Sequence, residues 1–362
     1  MKKKFLKTIS ELVAIRSISE NPKELKKSIE YVMQFFQDTG AHVKFYQQSG
    51  KYSLVVSTKK TKNFDVLFAA HLDVVNAPEN MFRVAVRGGR LYGRGVCDMK
   101  GEAAVLMHVM RDVMDSRKNL NLGFIFTTDE EIGGQNGMGY LINTLGYRAR
   151  VAIIPDGANN LQEIVHQNKG VLHITIAATG KAAHASRPWL GVNAIDQIIE
   201  AYNRIKKAFP RNMRVNAWQD TYSVGKIIGG SSVNQVPKEA TLHLDIRHIP
   251  TTNSKALLKK IQQLARPCKV QINSQGDGIY VDEKHESIRL YGDIVKRYTG
   301  QKFGVVTSHG SNDGRYLTAL NIPIIVSRPL SDGQHSDNEW ISINDLELFY
   351  NINKQFVMEF AS

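Results

Sequence analysis

Histidines and acids recur in this chain just where apolar runs end, a placement that suits metal-assisted hydrolysis. His71-Leu72-Asp73 follows directly on the run 66–70. A neutral imidazole is a good zinc ligand, and a carboxylate two residues on lies on the same side of an extended chain. Asp73 is thus placed to hold the other N–H of the His71 ring, although a lone pair of this type also serves as an ordinary structural hydrogen bond. Asp129-Glu130-Glu131 comes right after another apolar run, 122–126. Three adjacent carboxylates repel, so they either stay in water as a solvated loop or need positive charge beside them. Asp156, in Pro155-Asp156-Gly157, follows the run 151–154, and His335 sits in the glycine-bearing stretch 331–339.

The segment Gly93-Arg94-Gly95-Val96-Cys97-Asp98 has two readings. As a dinucleotide-binding loop it lacks the third glycine, since Asp98 stands at that place. As a tight turn it presents Asp98 beside His71, and a carboxylate has two oxygens with which to bridge two cations ~3.5–4 Å apart.

The elements that must carry these residues follow from the hydrophobic pattern. Phe5, Ile9, Leu12 and Val13 recur at helical spacing, as do Leu25, Ile29, Val32, Phe35 and Phe36 over 25–39. Runs at 66–70, 122–127 and 151–154 read as strands buried on both faces, with a helix over 100–113 between the first two. That is an α/β layout with a covered, mostly parallel sheet, and side chains at the carboxyl ends of such strands face the ligand crevice. Near Gly170 the pattern changes. Leu172, Ile174 and Ile176 alternate with polar or small residues; a helix follows through Ile195, Ile198, Ile199, Tyr202 and Ile205. Strands at 221–228 and 240–246, a helix at 254–266 and a strand at 269–273 complete a β-α-β-β-α-β order, the ferredoxin-like arrangement. Helix and strand alternate again from about Glu286. The expected organisation is a discontinuous α/β domain, 1–168 and 281–362, interrupted by a ferredoxin-like domain at 169–280.

Composition narrows the class of protein. The chain has 362 residues, 42% of them hydrophobic and 22% charged, ordinary for a globular protein with room for two cores. No apolar run approaches the ~20 residues that span a bilayer. Lys2, Lys3 and Lys4 imitate the start of a secretion signal, but Lys7, Glu11 and Arg16 interrupt any apolar core behind them. Cys97 and Cys268 cannot build a disulfide framework, which agrees with a cytoplasmic location. The formal net charge is +13, yet the lysines are scattered and no basic run is interleaved with aromatics, so neither nucleic acid nor membrane is an expected partner.

The segments HLDVV, GRLYGRGVCDMKG, TTDEEIGG, PDG, GKAAHASRP, NQVP with DIR, and GQHSDNE appear in order between residues 71 and 339. Together they resemble the zinc-dependent family of acetylornithine deacetylase, succinyl-diaminopimelate desuccinylase, aminoacylase and carboxypeptidase G, and the run GRGVCDMKG followed by DEE is highly specific. The resemblance implies a zinc-exopeptidase-like catalytic domain with an inserted ferredoxin-like dimerisation or lid domain, hence a homodimer. It also implies two Zn²⁺, with Co²⁺ or Mn²⁺ as substitutes. His71 and Asp156 would bind one metal, Glu131 and His335 the other, and Asp98 would bridge them. Charge supports this set: two dications are balanced by three carboxylates and a bridging hydroxide. Glu130 resembles the family's general base. His184 in the HAS segment resembles a donor to the tetrahedral oxyanion, often supplied by a neighbouring subunit; a lone histidine there otherwise reads as structural. Asn234 and Arg247 resemble positions that orient a small carboxylate-bearing substrate, Arg247 as a bidentate clamp. The stretch 308–315 resembles a substrate-facing loop.

Two departures blur the subfamily. Many deacylases of the family have Glu where Asp156 stands, and the tryptophan often found after the HxD segment is absent, with Met81 and Phe82 nearby. The expected reaction is hydrolysis of the amide of an N-acyl amino acid. A dipeptidase or carboxypeptidase-type exopeptidase using the same metals is the alternative, and a non-catalytic metal-binding relative a more remote one.

Overall fold

The computed structural model describes residues 1–116, 119–209 and 217–361. They form two compact units: Met1–His166 with Val281–Ser308 and Asn312–Ser362, and Gln167–Tyr280 with His309–Ser311.

The larger unit opens with helices α1 (Lys2–Ala14) and α2 (Pro22–Phe36). Asn21 caps α2 by accepting from the Glu24 N–H, and Pro22 occupies the first turn, where its missing N–H is no loss. Leu25, Ile29, Val32 and Phe36 then fall on one buried face, so the helix starts earlier and ends sooner than the apolar pattern over 25–39 predicts. A hairpin follows, β1 (His42–Gln48) and β2 (Lys51–Ser57), then β3 (Asn63–His71), α3 (Lys100–Asp115), β4 (Leu122–Thr127) and β5 (Arg148–Ile153). Sequence reasoning passed over the hairpin because β1 is largely exposed and carries no apolar run. By contrast β4 is buried along its whole length, as a strand covered on both faces must be.

The smaller unit contains β6 (Gly170–Thr179), α4 (Ala194–Lys206), β7 (Thr221–Gly229), β8 (Glu239–His248), α5 (Ser254–Ala265) and β9 (Lys269–Gly276). Its sheet has the order β7-β8-β6-β9, antiparallel throughout, which is the ferredoxin-like topology. Leu242, Leu244 and Ile246 alternate inward along β8 and pack with Ile174, Ile176, Ile198 and Ile261. The Asn193 side chain caps α4 through the N–H groups of Ile195 and Asp196, while Arg204 and Lys206 complement the last turn.

The chain returns to the larger unit with α6 (Glu286–Thr299), β10 (Ile324–Ile325) and α7 (Ile343–Phe360). The main sheet has the order β1-β2-β4-β3-β5-β10. Strands β4, β3, β5 and β10 are parallel neighbours, and the β1–β2 hairpin closes one edge in antiparallel fashion. Helix α2 packs on β2, and α3 and α7 pack on β3. This is the mixed α/β architecture with a mainly parallel sheet that the sequence predicts.

Candidate functional site

Parallel strands end at one edge of the sheet, so whatever follows them converges there. His71 is the last residue of β3 and pairs with Thr127, the last of β4. Glu130 and Glu131 start the short helical turn after β4, and Asp156 comes three residues after β5. Asp98 reaches the same edge from the turn before α3. Gly95 makes that turn possible: its φ is +84°, and a Cβ there would sit 2.9 Å from Val74 Cγ1. His335 holds a left-handed backbone with φ +61°, unusual for a residue with a side chain.

Asp98 stands between the two histidines, with His71 Nε2 3.1 Å from one oxygen and His335 Nε2 3.0 Å from the other. His335 Nε2 is also 3.2 Å from Glu131. His71, Asp98 and Glu131 form one group whose ligand atoms lie within 4.8 Å of one another, and His71, Glu130 and Asp156 form a second. All five residues expected to hold metal are therefore brought together, with Glu130 among them. Ligand atoms around a tetrahedral zinc with ~2.0–2.1 Å bonds lie ~3.3 Å apart, close to the separations seen here. The His71 ring points the right nitrogen inward. Its Nδ1 is 3.0 Å from the Asp73 main-chain oxygen, which can only accept, so Nδ1 carries a proton. Nε2 is the nitrogen turned to Asp98, from which a cation would displace the second proton.

The electrostatics describe a set short of positive charge. Burial and the Asp98 charge push Asp156 up to about 7, and burial and Asp156 push Glu130 well above the ordinary carboxylate range. Burial would raise Asp98 too, but the hydrogen bonds from His335 and His71 outweigh it and hold that carboxyl low. The same bonds from Asp98 and Glu131 raise His335 to about 10. Acids that repel one another, and imidazoles drawn toward protonation, are the donor set that divalent cations neutralise on displacing those protons.

Asp73 behaves differently from the sequence expectation. Its carboxylate is 3.6 Å from His71 Nδ1, too long for a hydrogen bond, and the carbonyl takes that place. The carboxylate accepts instead from the Glu130 and Glu131 N–H groups at 3.3 and 3.1 Å and from Ser19 Oγ at 3.4 Å. It secures the acidic turn, as an N-terminal cap would.

Other buried polar residues support the site; the sequence assigns none of them an individual role, and Asn312 and Asp313 enter it only as part of the stretch 308–315 that resembles a substrate-facing loop. Glu339 accepts from Arg94 at 2.5 Å and from the Cys97 N–H at 3.0 Å, and Arg94 also reaches the Ser336 carbonyl. Asn312 donates to the Asp156 carbonyl at 2.5 Å. Asp313 is buried against the acidic turn, where a Cβ on Gly134 would meet its Oδ1 at 2.1 Å, and the Tyr316 hydroxyl donates to the Gly133 carbonyl. Residues 312–315 thus carry inward-facing side chains, Asn312, Asp313 and Arg315 all being buried, and this part of the stretch 308–315 is a brace for the site's loops. Arg94 and Glu339 fall inside quoted motifs, and that position was the only signal for them.

The remaining expected residues belong to the smaller unit. His184 is exposed; its Nδ1 accepts from the Ser186 N–H at 3.2 Å, which leaves Nε2 to carry a proton outward. Asn234 lies beside it, its carbonyl accepting from the Ala185 N–H at 2.9 Å. Arg247 makes a bidentate pair with Asp245 at 2.8 and 3.1 Å.

The model of peptidase family M20/M25/M40 matches residues 67–359. This chain belongs to that family. A succinyl-diaminopimelate desuccinylase of Rickettsia bellii is 22% identical, covering 92% of this chain and 91% of its own. An acetylornithine deacetylase of Photorhabdus laumondii is 26% identical over 99% and 97%. The fold is also that of a Staphylococcus aureus tripeptidase, with a TM-score of 0.80 at 21% identity, covering 100% of this chain and 99% of the other. As an M20/M25/M40 protein the chain is a metal-dependent hydrolase, and the family's enzymes use a pair of metal ions on small substrates. No helix among the described residues is long and apolar enough to cross a membrane.

Proposed function

We propose that this M20/M25/M40 protein is a di-zinc, cytoplasmic hydrolase of N-acyl amino acids. The observation that carries the reading is Asp98 set between His71 and His335 at 3.1 and 3.0 Å, with Glu131 and Asp156 beside them. In this reading His71 and Asp156 would hold one cation, Glu131 and His335 the other, and Asp98 would serve both. Zinc held by these residues would supply Lewis-acid polarisation of the scissile carbonyl and would bring the pKa of water toward ~7. Glu130 takes the proton from the attacking water and passes it to the leaving nitrogen as the C–N bond breaks. Glu130 stands beside His71 and Asp156, a position from which a carboxyl can take that proton and return it.

His184 then donates from Nε2 to the oxyanion, in a homodimer formed through the smaller unit, and Asn234 and Arg247 hold the substrate carboxylate. Arg247 already grips a carboxylate, that of Asp245, in the fork geometry this role requires. The second reading, a dipeptidase or carboxypeptidase-type exopeptidase, draws support from Asp156, whose shorter side chain stands where many deacylases have Glu. A panel of N-acetyl and N-succinyl amino acids, dipeptides and tripeptides, run on EDTA-treated protein with Zn²⁺ restored, separates the two. Zinc-dependent release of an amino acid from an N-acyl substrate is expected. Faster turnover of peptides selects the second reading, and no turnover of any substrate by zinc-loaded protein rejects both.

A further inference from the structure

Three loops carry Asp98, Asp156 and His335, and a single buried side chain is hydrogen-bonded to all three. Arg328 Nη1 donates to the Cys97 carbonyl at 3.1 Å, Nε to the Ala158 carbonyl at 3.0 Å, and Nη2 to Gln334 Oε1 at 3.1 Å. Cys97 immediately precedes Asp98, Ala158 is two residues beyond Asp156, and Gln334 immediately precedes His335. Arg328 is 5% exposed. It follows β10, whose Ile325 pairs with Ile153 of β5, while the Val326 carbonyl accepts from the Val165 N–H. The parallel sheet therefore delivers the guanidinium to the same edge as the acids and histidines.

The two loops at Ala158 and His335 need holding. Both residues keep a left-handed backbone, with φ +66° and +61°, which a side chain disfavours and which persists only where surroundings enforce it. A planar guanidinium has five N–H groups in a fixed fork, so it can bond three acceptors while fixing their directions. An ammonium carries the same charge on a flexible stem and cannot reproduce that fork.

We infer that Arg328 is a positioning residue for the metal centre: its fork sets the spacing of the loops that present Asp98, Asp156 and His335. The inference rests on the reading of those residues as ligands. It concerns geometry more than charge, and Arg328→Lys separates the two.

The test is calorimetric titration of Zn²⁺ into metal-free protein, alongside thermal melting and steady-state kinetics. Wild type should take up two cations. Arg328→Lys should fold, bind zinc about 10–100-fold more weakly, and lose a similar factor in kcat with KM little changed, as loss of a group that orients ligands does. A purely structural arginine would lower the melting temperature and leave the zinc affinity of the folded protein intact, and that result overturns the inference. Should Arg328→Lys fail to fold, Gln334→Ala removes one arm from an exposed loop; it should weaken one of the two binding events, that of the His335 side. Unchanged binding in that variant also overturns the inference. Wild-type protein that takes up no zinc overturns the metal reading itself, and this inference with it.

Discussion

The two units hold their candidate residues in opposite ways. In the larger unit Asp98, Asp73 and Asp156 are fixed by partners far away in sequence: His335 on Asp98, the acidic turn on Asp73, Asn312 on the Asp156 carbonyl. Buried His71 meets distant Asp98 through Nε2 and the nearby Asp73 carbonyl through Nδ1, and His335 is exposed but tied to Asp98. In the smaller unit His184, Asn234 and Arg247 are exposed or half-buried and held by close neighbours, Ser186, Ser232 and Asp245, each two residues away. A cation site tolerates little displacement, because its ligands repel unless they are placed to share the ion. Residues that receive a substrate can be held more loosely and reorganise when it arrives. The two regions should therefore fail differently when altered.

The largest expected effect separates chemistry from metal retention inside the larger unit. Glu130→Gln should lower kcat by about 10²–10⁴-fold while keeping two zinc ions, measured by metal analysis beside initial rates. Loss of zinc in that variant would recast Glu130 as a ligand, which its place beside His71 and Asp156 allows. Next in size, His184→Ala should lower kcat about 10²–10³-fold with metal content unchanged. Loss of zinc there would erase the distinction between the two regions. Arg247→Lys should act mainly on KM, raising it about 10–100-fold as a bidentate charged contact is lost. A drop confined to kcat would place Arg247 elsewhere in the reaction.

The smallest effect calibrates burial away from the site. His108 lies against the Phe5 and Phe35 rings, with Nε2 2.9 Å from Thr8 Oγ1, and burial followed by the Lys4 charge lowers its pKa to about 4. Between pH 6.5 and 4 the unfolded chain binds the proton that the folded chain refuses, so stability falls as pH falls through this window. His108→Gln should flatten that slope, losing fewer degrees of melting temperature than wild type on going from pH 7 to pH 5, by an amount on the order of a few °C. Parallel slopes would mean that the ring is protonated where it sits.

Much of this was legible in the sequence, for a physical reason. Strands β3, β4 and β5 are buried on both faces, so they appear as unbroken apolar runs, and the residues just past their ends declare themselves. The alternation of β8 likewise exposes the half-buried sheet of the smaller unit. Arg94, Asn312, Asp313 and Arg328 were not legible in the same way. Each is an isolated polar residue that any loop can carry, and only the tertiary fold buries it against a distant carbonyl or turn. The β1 strand escaped notice for the opposite reason, since most of it faces water. The spacing of His71 and Asp73 places the two side by side, but spacing alone cannot tell whether the carboxylate or the carbonyl of Asp73 meets the imidazole.

The most direct test of the account is anomalous scattering at the zinc edge from crystals of zinc-loaded protein. Two peaks about 3.5–4 Å apart, one on either side of the Asp98 carboxylate, are what the geometry predicts. A single peak, or peaks that do not touch Asp98, would contradict it.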